Sequence, residues 1–148
     1  MLNRVYNTQS FCQDVPCSVY IPIMVRAAVR AMDATQAFLK TPQGGGTAPD
    51  GFVVAGGSKR GWTTWMTAAV DKRVRAIVPI VIDVLNVNKF MRQHIESYGF
   101  WARALSDYHY NGITTHLGNP EMDAMLANED PYVFRSRLTM PKYILNAT

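Results

Sequence analysis

The stretch Gly51-Phe52-Val53-Val54-Ala55-Gly56-Gly57-Ser58-Lys59-Arg60-Gly61-Trp62 constrains the fold more than any other part of this chain. Phe52 to Ala55 is a short apolar run of the kind that makes a buried strand. Two glycines and a serine end it, and a helical pattern starts at once. So abrupt a passage from strand to helix needs residues that accept unusual backbone angles and leave room for close approach. Ser58 falls at the apex of that turn, with a helix N-terminus just behind it.

Two readings of Ser58 follow. In the plainer one it is the N-cap of the next helix, its hydroxyl accepting a backbone N–H. In the other it is a nucleophile held at a strained strand-to-helix elbow, the device of α/β-hydrolases. Its neighbour's N–H, that of Lys59, then points at a developing oxyanion with the helix dipole behind it. The spacing departs from G-x-S-x-G: Gly56 and Ser58 fit, but Arg60 stands where the second glycine belongs and Gly61 comes one place late. Lys59 and Arg60 also suit an anionic ligand at the helix start, although solvation or an ion pair is the commoner fate of such a pair.

The chain around the turn reads as class α/β. A helix starts near Pro22, with Met24, Ala28, Ala31, Met32, Thr35, Phe38 and Leu39 as an apolar stripe packed on a sheet. Thr41 to Asp50, with Pro42, Gly44-Gly45-Gly46 and Pro49, is a flexible connection. Its glycines precede a strand and lack G-K-[ST], so a phosphate loop is rejected. Trp62, Trp65, Met66, Ala69 and Val70 continue the second helix, and Val74 to Ile82 is a β-branched run suited to a parallel strand covered on both faces. Pro79 inside it predicts a bulge or bend. Asp83 follows at the carboxyl edge of the sheet, the same rim as Ser58. Residues 84–137 spread aromatics among polar residues, with helices expected over Asn88–Ser106 and Pro120–Ala127. Such an insertion serves as a lid over a pocket or simply covers the sheet. Pro141 to Thr148 begins a third parallel strand.

Composition narrows the function classes. The chain of 148 residues is 48% hydrophobic and 18% charged, as in a globular domain. Its net charge of +4 comes without a basic run, which argues against a nucleic-acid partner. No apolar run has the length of a membrane span. No cofactor signature appears, and no H-E-x-x-H or clustered spacing suggests a metal. Cys12 and Cys17 are too few for a disulfide framework; one local bridge and two free thiols both remain open.

The block Gly56 to Trp65, with Ala68 to Val74 and Ala76 to Asn86, closely resembles the PhoPQ-activated pathogenicity-related family, a branch of the α/β-hydrolase superfamily whose elbow reads G-x-S-K-R-G-W. Ala27–Gln36, Asp130-Pro131-Tyr132 and Leu138–Lys142 are similar to it as well, so the resemblance spans about residues 22–148. It makes the late glycine a family trait. Residues 1–21 carry no clear period and read as an irregular segment, and over 22–148 the resemblance implies a partial α/β-hydrolase-like domain, a parallel sheet with flanking helices to which the helical insertion read at 84–137 belongs. It implies Ser58 as nucleophile, and places the triad acid after the strand Lys142–Asn146 with the histidine further on, both beyond Thr148. Inside the chain Asp83 is the alternative acid. His94, His109 and His116 follow it, each favouring a packing or surface role over that of a base. The expectation is therefore a piece of a larger exported or periplasmic enzyme, inactive by itself and prone to self-association through an exposed sheet edge. Its substrate is an unidentified small molecule or peptide. A non-catalytic binding or regulatory protein on the same scaffold is the alternative.

Overall fold

The computed structural model describes residues 20–146, so the expectations for residues 1–19, Cys12 and Cys17 included, and for the last two residues lie outside it. Within it the chain forms two compact units. One comprises residues 20–83 and 134–146, the other residues 84–133.

The first unit holds a mixed helix-and-sheet arrangement: α1 (Tyr20–Leu39), β1 (Phe52–Gly57), α2 (Lys59–Val70) and β2 (Val74–Ile80). β1 and β2 pair in parallel, from Phe52 opposite Val74 to Gly57 opposite Ile80, with α2 as the crossover packed on both. Trp65, Met66, Val74 and Ile77 form its centre, with Ile77 fully buried. α2 is buried on every side from Gly61 to Ala69, because α1 covers the face turned away from the sheet. That burial includes Thr63, Thr64 and Thr67, whose hydroxyls donate to the carbonyls of Lys59, Arg60 and Thr63 one turn back. A hydrogen bond of this kind offsets much of the cost of burying a hydroxyl.

Several expectations change here. The first helix starts at Tyr20, and it packs on α2 where a sheet contact was expected. Its buried face runs through Ile21, Val25 and Met32, leaving Phe38 58% exposed. Val70 is exposed as well. Arg73 fastens the helix: its guanidinium grips Asp71 at 2.6 Å and reaches Asp33 at 2.8 Å and the Gln36 side chain at 2.8 Å. The bonds from Arg73 hold the carboxyls of Asp71 and Asp33 below their ordinary range.

β1 alternates half-buried and exposed residues, with Val53 67% exposed, whereas β2, the run expected to be covered on both faces, exposes only Arg75. The third strand is reduced to two parallel bridges, Ile77 with Lys142 and Ile80 with Leu145. Pro79 accounts for the interruption. Ile77 donates to Pro141 and accepts from Tyr143, and the Pro79 carbonyl accepts from Leu145. The proline's absent N–H faces this same segment, so one rung is lost while the ladder to β1 stays whole. The register shift lies at Phe52/Val53 and not at Pro79.

The second unit contains α3 (Val87–Tyr98), α4 (Ser106–Tyr110) and α5 (Pro120–Glu129), joined by short 3-10 turns. The helix expected over residues 88–106 stops at Tyr98, because Gly99 takes a left-handed φ of 70° and its N–H closes on the Ile95 carbonyl. Buried Asp130 ties the end of α5 to the start of α3, accepting the N–H groups of Asn86, Val87 and Tyr132. Beside it Glu129 is 4% exposed, and burial pushes its carboxyl up to about 8.

The folded state therefore keeps a proton on Glu129 that the unfolded chain releases from its ordinary value of 4.5 upward. Stability then falls as pH climbs from about 4.5 towards 8. Glu129→Gln should flatten that fall and leave the variant more stable at pH 8 by on the order of 1 kcal/mol or more, read from thermal unfolding at pH 5 and pH 8.

Candidate functional site

The turn between β1 and α2 exists because α2 begins almost against the strand ends. The N–H of Ser58 donates to the Ile80 carbonyl at 2.9 Å, and the Ser58 carbonyl accepts the Trp62 N–H at 3.1 Å, starting the helix. There is no space for a turn of ordinary dimensions. A Cβ on Gly56 would stand 2.5 Å from the Arg60 carbonyl oxygen. One on Gly61 would meet the Ile82 Cγ2 methyl and lie 2.9 Å from the Gly56 oxygen. The glycine that came one place late in the motif is thus the residue that lets α2 sit over the end of β2.

Ser58 absorbs the geometry. Its φ of 53° and ψ of −126° match the first central position of a type II′ turn, which glycine normally holds. A serine there stores roughly 1–3 kcal/mol of strain. Its side chain is exposed and makes no capping hydrogen bond to the helix it precedes. The plainer N-cap reading therefore does not describe this serine. Lys59 is the first residue of α2, so its N–H belongs to the positive end of the helix dipole.

A second strained residue sits alongside. Val81 follows the last paired residue of β2 as Ser58 follows that of β1, and its φ is 47°. A β-branched residue at positive φ is a true outlier. Sequence reasoning expected a bulge or bend near Pro79, and the bend lies two residues on, at Val81; its positive φ was not foreseen. Asp83 is exposed at the same carboxyl edge.

The three histidines belong to the other unit. His94 stacks on Trp101 with ring centres 5.7 Å apart and planes 3° from parallel, and its Nε2 accepts the Ala102 N–H at 3.1 Å. His94 therefore serves local packing. His109 Nδ1 lies 3.2 Å from the Thr114 hydroxyl. His116 ends a short 3-10 turn and is half-buried. Among the described residues no group of three or more His, Cys, Asp or Glu side chains could hold a metal, and no helix is long and apolar enough to cross a membrane.

Comparison with known proteins matches residues 6–148 to the family described as PhoPQ-activated pathogenicity-related protein. The chain is 45% identical over 122 residues to autocrine proliferation repressor protein A of Dictyostelium discoideum. That match covers 82% of this chain and 24% of the relative, so the chain spans about a quarter of the relative's length. No solved structure matches.

The packing at the turn makes a testable claim. Gly56→Ala should cost about 1–3 kcal/mol, because its Cβ strikes helix backbone that cannot step aside. Gly61→Ala should cost stability as well, since its Cβ meets the Ile82 side chain and lies 2.9 Å from the Gly56 carbonyl oxygen. Combining it with Ile82→Ala should lose less than the sum of the single changes in chemical denaturation, because the two residues share one contact.

Proposed function

The chain belongs to the PhoPQ-activated pathogenicity-related protein family, and from that membership and the turn at Ser58 we propose that the intact protein is a serine hydrolase of ester or amide bonds on an α/β-hydrolase-like scaffold. The observation that carries the reading is the conformation of Ser58: a strained, exposed, uncapped serine at the carboxyl edge of a parallel sheet, with a helix N-terminus behind it.

In this mechanism Ser58 Oγ attacks the substrate carbonyl carbon as its proton passes to a histidine base. The tetrahedral oxyanion is held by the Lys59 N–H, aided by the α2 dipole. Collapse of the intermediate breaks the bond to the alcohol or amine, which leaves with the proton from the histidine. Water then enters by the same path, gives up a proton to the base, and releases the acid and free Ser58. The carboxylate that orients the base belongs at this same edge of the sheet, and Asp83 is the candidate inside the chain.

A second reading is a binding or regulatory protein on the same scaffold. It draws on the relative's name, which describes repression of proliferation and not a reaction.

A fluorophosphonate probe separates the two. In the intact natural protein the adduct should map to the peptide containing Ser58 and vanish in Ser58→Ala. Ester hydrolysis should fall by about 10⁴-fold or more in that variant. A folded protein that takes up no probe at Ser58 would contradict the enzyme reading and favour the regulatory one.

A further inference from the structure

Val81 leaves β2 where Ser58 leaves β1. Gly57 and Ile80 are register partners, and the Ser58 N–H is bonded to the Ile80 carbonyl at 2.9 Å, so Ser58 and Val81 are the next residues past two adjacent strand ends. Both have positive φ, at 53° and 47°. They are two of the three non-glycine residues in that state among the described residues.

The turn at Val81 is held from two sides. Its N–H donates to the Leu145 carbonyl at 2.6 Å. The next residue, Ile82, is lodged against Gly61 in the first turn of α2. Glycine would make the same turn without strain. A valine is the costly choice, and it does not fill the core, since it is 49% exposed. Backbone strain of this kind, over-determined by its surroundings, concentrates at ligand clamps and active sites.

We infer that Val81 is a specificity-determining residue: its branched side chain, fixed beside Ser58 by the strained turn, limits the size of the group flanking the scissile carbonyl on the β2 side. The inference rests on Ser58 being the nucleophile. It assigns the protein to substrates whose group on that side is small or unbranched.

The test measures kcat/KM of the intact protein and its Val81→Gly, Val81→Ala and Val81→Ile variants. One series uses p-nitrophenyl acetate, butyrate and octanoate; another uses acetate esters of p-nitrophenol and 1-naphthol. Trimming Val81 should shift the large-to-small ratio in one series about tenfold in favour of the larger group, and Val81→Ile should shift it the other way, whereas ratios constant within about twofold in both series would overturn the inference. A uniform loss across all substrates would likewise overturn it, assigning Val81 to the fold alone. Fluorophosphonate labelling of Ser58 is read in parallel. If it persists while the ratios stay fixed, only the role of Val81 fails. If wild-type Ser58 is neither labelled nor needed for turnover, both proposals fall together.

Discussion

The close approach of the first turn of α2 to the ends of β1 and β2 is the constraint on which the rest of this edge depends. Gly56 and Gly61 permit it, because a Cβ on either would collide with helix backbone or with Ile82. With α2 that near, the chain must leave β1 through a left-handed residue, and Ser58 is that residue. The same approach presses Ile82 beneath the helix, so the chain must also leave β2 through a left-handed residue, Val81. Two residues with strained backbones then follow the ends of two adjacent strands. Burial of α2 resists relaxation of the strain: Trp65 and Met66 lie in the core, and its threonines are satisfied internally.

What could be read from the sequence follows from how local each cause is. Strand, turn and helix around Ser58 were legible because glycine pairs and apolar runs encode their own geometry. The face of α1 was less so. Ile21, Ile23, Met24 and Val25 supply apolar residues on several sides, and only tertiary packing decides that Ile21 and Val25 are buried, Ile23 stays exposed and Met24 meets the Thr63 hydroxyl on α2. Thr63, Thr64 and Thr67 read as polar, yet their hydroxyls close on carbonyls one turn back and go inside. The weakened third strand is the work of Pro79, whose effect falls on a partner more than 60 residues away as well as on its own strand, where only a nearby bulge or bend was expected. A bend near Pro79 was foreseeable, but nothing in a valine announces a positive φ, whose cause, the space that Gly61 and Ile82 share, is tertiary.

The candidate site was legible in part for the same reason. Ser58 is marked by its flanking glycines, and Lys59 and Asp83 follow from their places at a helix start and beyond a strand end. The residues around a proposed catalytic serine that come from distant segments carry no such local mark. His94 shows the other side of this: an aromatic-rich surrounding turns a chemically versatile side chain into a packing element, stacked on Trp101 and bonded to the Ala102 N–H.

The account stands on Ser58 being strained and uncapped, and comparing the stability of wild type, Ser58→Ala and Ser58→Gly by thermal unfolding tests this most directly. With no capping bond to lose, alanine should change stability by no more than a few tenths of a kcal/mol, and glycine, at ease with positive φ, should raise it by about 1 kcal/mol. Were Ser58 an ordinary helix cap, alanine would cost about 1 kcal/mol and glycine would bring no gain. That outcome would contradict the account.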